Sequence, residues 1–176
     1  MRRFVIYALF SIVCFTSVQA QKTEPVSSTT IILVRHAEKM DDGTTNPDLT
    51  PKGLNRALDL KKVLIQEFNI SAVFSTPLTR TQQTATPTAE FFSLTIQDHN
   101  HKDPNALKEL ILDKYKNKTV LVAGHSNSTP ILVNHFLGED KYPYLSEDVF
   151  NQLFIVRVAE GGKVTVEQRS YGAEND

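Results

Sequence analysis

Thr30-Ile31-Ile32-Leu33-Val34 runs straight into Arg35-His36-Ala37-Glu38-Lys39, and the reading of this junction decides the fold. A continuous β-branched and leucine run, without polar alternation, predicts a strand buried on both faces. Such a strand lies in a sheet with helices above and below it. Its polar continuation then emerges at the sheet edge. Working outward, the same unit recurs. Leu49-Thr50-Pro51 opens a helix: Thr50 caps it, and Pro51 in the first turn has no amide proton to lose. Leu54, Leu58, Lys61, Lys62, Leu64 and Ile65 continue at helical spacing towards Phe68. Ile70 to Phe74 predicts a second strand and Thr79 to Phe92 a second helix, with Pro87 marking a kink or a late start. Leu94 to Gln97 is a third strand, and Asp103-Pro104 begins a helix through Leu107, Leu110 and Ile111 to Tyr115. Thr119 to Ala123 is a fourth, fully apolar strand, followed by a helix from Thr129 to Leu137. Leu153 to Val158 and Val164 to Ser170 flank Gly161-Gly162 as a closing β-hairpin. Strands alternating with helices imply a parallel sheet covered on both faces, with its chemistry at the carboxyl ends of the strands.

Before this domain, which runs from residue 30 to 176, come two segments of another kind. Arg2 and Arg3, the apolar run from Phe4 to Val13, and the small side chains of Val18 and Ala20 read as a signal peptide over residues 1–20. The run is short for a membrane span, which needs about 20 apolar residues. Cleavage after Ala20 removes Cys14, the one cysteine, and leaves a thiol-free chain suited to an oxidising compartment. The expected product is exported, to a bacterial periplasm or the medium, without stable membrane insertion. Residues 21–29 are polar and read as a linker. With 40% hydrophobic and 22% charged residues among 176, the chain is ordinary for one globular domain. A formal charge of −1 gives no footprint for nucleic acid, and a single cysteine excludes a disulfide framework or a cysteine-based zinc cluster.

Polar groups gather at three strand ends. Arg35 and His36 follow the first strand, Ser75-Thr76-Pro77 leads to Arg80 after the second, and Gly124-His125-Ser126-Asn127-Ser128 follows the fourth. Two guanidiniums and two imidazoles converging in one cleft call for an anion, because clustered positive charge is costly without one. Guanidinium matches phosphate oxygens bidentately, and the helix starts after Pro77 and Ser128 add backbone amides. A neutral His36 can attack phosphorus and hold it covalently; neighbouring arginines favour that neutral form, and a ring N–H bond to a carbonyl selects the tautomer. His125 can donate to phosphoryl oxygens in the transition state.

These segments resemble the histidine phosphatase superfamily, also called phosphoglycerate-mutase-like. The resemblance rests on Arg35-His36-Ala37-Glu38-Lys39, Leu49-Thr50-Pro51-Lys52-Gly53 with Arg56-Ala57, Ser75 to Ala85, and Gly124-His125-Ser126-Asn127, and it covers about Ile31 to Leu137. It implies a three-layer α/β/α sandwich with a mostly parallel central sheet and a C-terminal β-hairpin. It further implies a phosphatase that needs no metal or other cofactor. His36 is then the phosphorylated nucleophile, with Arg35, Arg80 and His125 completing the phosphate pocket, and Lys39 and Asn127 in positions to touch substrate. Many members use a carboxylic acid after the third strand to protonate the leaving oxygen. Here Asp98, Asp103 and Glu38 are the choices: Asp98 is nearest the strand end, while Asp103 before Pro104 also reads as a helix cap. Members acting on phosphohistidine dispense with such an acid.

Other readings compete. Gly124-His125-Ser126-Asn127-Ser128 resembles the G-x-S-x-G elbow of an α/β-hydrolase, but Ser128 replaces the last glycine, and the one later histidine, His135, falls within a helix. His99 and His101 make two metal ligands at most and read as solvated loop residues. Phe91, Phe92, Phe136 and Phe150 read as core. A phosphate- or phosphoester-binding protein with little turnover, and a phosphohistidine phosphatase, are the alternatives to a phosphomonoesterase. The expected partner in each case is a phosphorylated small molecule or phosphoprotein.

Overall fold

The computed structural model describes residues 27–174, so the predicted leader with Cys14 and most of the predicted linker lie outside the described residues. Within them the chain order is β1 (Ser28–Arg35), α1 (Pro51–Glu67), β2 (Ile70–Ser75), α2 (Thr79–Phe91), β3 (Ile96–Asp98), α3 (Pro104–Lys114), β4 (Thr119–Gly124), α4 (Ser128–Leu137), β5 (Gln152–Ala159) and β6 (Val164–Ser170). β1 takes in Ser28 and Thr29, which the composition had assigned to the linker. They pair with Ala159 and Val158 of β5, and that ladder is what lengthens the strand. No helix of the described residues is long and apolar enough to cross a membrane.

One six-stranded sheet has the order β3-β2-β4-β1-β5-β6. β1, β2, β3 and β4 are mutually parallel, while β5 runs antiparallel to β1 and closes the sheet with β6 as a hairpin. Period-2 side-chain alternation then divides the apolar runs between two faces. Ile31, Leu33, Val120, Val122, Phe154 and Val156 meet Leu107 and Ile111 of α3 and Leu132, Val133 and Phe136 of α4. Ile32, Val34, Leu121, Ala123, Leu153 and Ile155 meet Leu60 and Leu64 of α1 and Ala85 and Ala89 of α2. The result is the expected α/β/α sandwich, two helices to a face.

Local chemistry accounts for the ends of the elements. The Thr50 hydroxyl accepts from the Gly53 amide at 3.0 Å, as its place before Pro51 predicts. The buried stripe of α1 is Gly53, Arg56, Ala57, Leu60 and Leu64, whereas Leu54 and Leu58 are exposed. Two helical stripes were available, and the one carrying the small residues could approach the sheet. Pro87 sits inside α2 without ending it. Phe91, expected in the core, is 56% exposed at the end of α2 and lies edge-to-face on Phe92.

Candidate active site

β1, β2 and β4 are neighbours in the sheet, so their carboxyl ends open side by side. The junction is tight: the His36 amide donates to the Gly124 carbonyl at 2.9 Å, and the Thr129 hydroxyl donates to the Val34 carbonyl at 3.2 Å. Gly124 is required here, because a Cβ would come within 2.9 Å of Thr129 Oγ1 and 3.0 Å of Ser128 Oγ. His36 and His125, 89 positions apart in the sequence, thus place their ring centroids 5.7 Å apart, edge to face.

His36 is 4% exposed. Its Nδ1 lies 2.7 Å from the Ala37 carbonyl, which can only accept, so the proton resides on Nδ1 and Nε2 keeps its lone pair. Burial first, and then the charges of Arg35 and Arg80, push the imidazole down to about 3, against the Ala37 hydrogen bond. The neutral His36 ring anticipated from the arginines is therefore favoured most by desolvation. His125 falls to about 4 for the same first reason, reinforced by Arg80. Its Nε2 is 3.1 Å from Thr76 Oγ1, which meets Thr81 Oγ1 at 2.8 Å. Thr81 has its closest acceptor in the Leu78 carbonyl at 2.7 Å. The Thr76 proton therefore points to Thr81 and its lone pair to His125, whose Nε2 is left as the donor.

Arg35 is 2% exposed, and most of its guanidinium faces away from a substrate. Nη1 donates to the carbonyls of Ser146 (2.8 Å), Glu147 (3.0 Å) and Val149 (3.0 Å), and Nη2 donates to Glu147 Oε2 at 2.7 Å. Nε is buried with no hydrogen-bond partner among the described residues. The other Glu147 oxygen accepts from Ser126 Oγ at 2.9 Å. Phe150, expected as core, lies 4.2 Å under the Arg35 guanidinium carbon and 6.1 Å from the His36 ring. The Arg80 Nε is likewise buried and unpartnered, but burial alone lowers its pKa and, among the described residues, no carboxylate offsets that shift as Glu147 does for Arg35.

The remaining candidates separate. Glu38 is held by Arg56, with Nε at 3.0 and 2.9 Å from its two oxygens and Nη2 at 2.7 Å from Oε1. Burial works against its charge, but the Arg56 hydrogen bonds outweigh it and hold the carboxyl below the usual range. Glu38 is thus a clamp rather than a proton donor. Arg56 also donates to the carbonyls of Tyr171 and Ala173, a role that no sequence signal beyond its motif position disclosed. Asp103 caps α3 by accepting from the Ala106 amide at 3.1 Å. Asp98 is exposed at the end of β3, where Gln82 donates to it at 3.3 Å. Lys39 is exposed and pairs its backbone with Leu49. Asn127 accepts from the Ser128 amide at 2.7 Å and caps α4. Among the described residues neither hydrogen-bonds to His36, Arg80 or His125; Lys39 is held by its backbone pairing and Asn127 by its cap.

The loop after β3 departs most from expectation. His99 is largely buried, not solvated, and burial lowers its pKa. His101 is exposed, and its ring stands edge-to-face 5.5 Å from that of His125. Thr76, Pro77, Leu78, Asp98, His99, Asn100 and His101 surround a cavity of about 440 Å³, joined to His125 through Thr76. Among the described residues no group of three or more His, Cys, Asp or Glu is placed to hold a metal ion.

Residues 31–101 match the family model of the histidine phosphatase superfamily, branch 1. Among solved structures, the protein histidine phosphatase SixA complexed with tungstate aligns with a TM-score of 0.66 at 19% identity, over 80% of this chain and 96% of that one. YhfR of Bacillus stearothermophilus aligns with 0.68 at 17% identity, over 82% and 98%. A phosphoserine phosphatase from Entamoeba histolytica, in complex with phosphoserine, aligns with 0.60 at 15% identity, over 82% and 97%. No curated protein sequence matches significantly.

Proposed function

We propose that this chain, a histidine phosphatase superfamily member by its matched segment and its fold, hydrolyses phosphomonoesters through a phosphohistidine at His36 and needs no metal to do so. One observation carries the reading. A half-buried Arg80 with no compensating carboxylate faces two neutral imidazoles, one with its nucleophilic lone pair left bare. That arrangement is stabilised by a tetrahedral anion and by little else.

In the first step the His36 Nε2 lone pair attacks phosphorus, and the P–O bond to the leaving group breaks with its electron pair on oxygen. Arg80 and the Arg35 Nε–H hold the equatorial oxygens as negative charge builds on them, and the His125 Nε2–H, given to Thr76 in the resting protein, turns from that hydroxyl to join them. The Nδ1–H bond to Ala37 stabilises the cationic ring of the intermediate. Water then attacks phosphorus, the P–N bond breaks back to His36, and inorganic phosphate leaves. Glu147 competes with the phosphoryl group for Arg35 Nη2, so substrate entry displaces one end of that ion pair.

The test is turnover of p-nitrophenyl phosphate by the pure protein in EDTA, together with acid-labile labelling from a ³²P substrate. Turnover and label should both vanish in His36→Ala. Tight phosphate binding without turnover would instead identify a binding protein. Phosphohistidine hydrolysis is a second reading, supported by the engagement of Glu38 and Asp103 elsewhere: a nitrogen leaving group manages without a strong acid. Export to a periplasm or the medium is the location we infer from the leader-like residues 1–20; a mature protein beginning at Gln21 is the expected result of N-terminal sequencing.

A further inference from the structure

We propose that His101 is the group that exchanges the proton with the leaving oxygen, an imidazole standing where a carboxylic acid was expected. The inference rests on the phosphomonoesterase reading above and extends it to the leaving-group side of the site. Three observations carry it. The His101 ring is in contact with His125, the imidazole assigned to the phosphoryl oxygens, at 5.5 Å between centroids. It also borders the cavity of about 440 Å³ whose other wall is Thr76, and Thr76 itself holds His125. Finally, two of the three carboxylates that could have served are committed elsewhere, Glu38 to Arg56 and Asp103 to the α3 amide.

His125 therefore has His36 against it at 5.7 Å and His101 at 5.5 Å, so a phosphoryl group held by His125 has a nucleophile and a second imidazole within reach. The charged and titratable groups around His101 are Asp98, His99, Lys102 and Asp103 on its own loop and His125 after β4, with Arg80 on the far side of His125. Imidazole is a side chain that can both give and take a proton at a reacting oxygen. In the first step imidazolium His101 gives a ring proton to the leaving oxygen as the P–O bond breaks, so the alcohol departs neutral and His101 is left neutral. In the second step neutral His101 takes a proton from the water that attacks phosphorus and is recharged for the next cycle. Asp98 borders the same cavity and is the rival, but its contact is to Gln82 and not to either catalytic imidazole.

Leaving-group chemistry supplies the test. p-Nitrophenolate departs without a proton, whereas a primary alkoxide does not. We compare kcat/KM, which ends at phosphoryl transfer to His36, for p-nitrophenyl phosphate and for an alkyl phosphate such as phosphoserine, in wild type, His101→Gln, His101→Ala and Asp98→Asn. Both His101 variants should lose about 10²-fold or more on the alkyl ester and stay within about threefold on the nitrophenyl ester. Equal losses on both esters, a selective loss confined to Asp98→Asn, or a wild type inert towards every alkyl ester would each overturn the assignment. Labelling of His36 by the nitrophenyl ester checks the parent reading independently: label present with no selective loss defeats His101 alone, and no label with no turnover defeats both.

Discussion

Replacing Arg80 with Met separates catalysis from stability in one residue. The thioether side chain keeps most of the aliphatic stem and removes the charge. Among the described residues the Arg80 Nε–H is buried without an acceptor, and no carboxylate sits near the guanidinium. An unsatisfied buried donor costs about 1–3 kcal/mol. Because the rest of the guanidinium is partly solvated, the low end applies, about 1 kcal/mol. For a domain of this size that is a rise of about 2–4 °C in Tm on substitution. In the proposed mechanism the same group donates to the phosphoryl oxygens in the transition state, where loss of one such donor costs about 10²–10³ in rate. Arg80→Met should therefore melt higher and turn over far more slowly. Calorimetry and p-nitrophenyl phosphate kinetics, run on the same preparation, give both numbers. Added inorganic phosphate supplies a third: it should raise the Tm of the wild type through binding to the folded state and raise that of the variant much less. A variant that is both less stable and less active would mean that Arg80 supports the fold. One that is as active as wild type would remove Arg80 from the phosphate site altogether.

Further consequences are open to direct measurement. Gly53→Ala puts a methyl group onto the Glu38 carbonyl oxygen, so α1 must back away from the strand end; a loss of about 1–3 kcal/mol in urea unfolding is expected, with slower turnover. Stability should fall on acidification from about pH 6.5 towards 4. His36 and His125 stay neutral in the folded protein, with values of about 3 and 4, whereas the unfolded chain takes up protons below about 6.5, so the unfolded state binds more protons throughout that window. The double variant His36→Asn, His125→Asn should flatten that slope, and an unchanged slope would place the acid sensitivity elsewhere. Glu147→Ala frees Arg35 Nη2 while three backbone carbonyls still hold Nη1. Because the carboxylate is 82% exposed, its removal should tighten inorganic phosphate binding by no more than about fivefold, in line with about 1 kcal/mol for an exposed ion pair, as read by calorimetric titration; weaker binding would contradict the competition.

Legibility from sequence followed the range of the interactions. The strands and the two capped helices were readable because their causes are local: continuous apolar runs, Thr50 before Pro51, Asp103 before Pro104. The convergence of His36, Arg80 and His125 was readable because parallel strands expose their carboxyl ends together. What escaped depends on distant partners. Nothing near Arg35 announces that the segment from Ser146 to Val149 absorbs most of its donors, and nothing near Glu38 announces Arg56. Asn46 caps α2 from 33 residues away by accepting from the Thr79 amide at 2.9 Å, though Leu78 at the cap offers no side-chain acceptor. His101 looked like any solvated loop histidine, because its contact with His125 exists only after β3 and β4 are both in place.

The place of β1 in the sheet bears on how the polypeptide comes together in time. Ser28–Arg35 is made early, yet its two ladder neighbours are Thr119–Gly124 and Gln152–Ala159, some 90 and 120 residues later. A chain emerging from the ribosome therefore has no central strand to build on until it is nearly finished. Such long-range pairing is slow to nucleate. That delay leaves the junction after β1, where His36 and His125 meet, unassembled until the later strands have taken their places beside it.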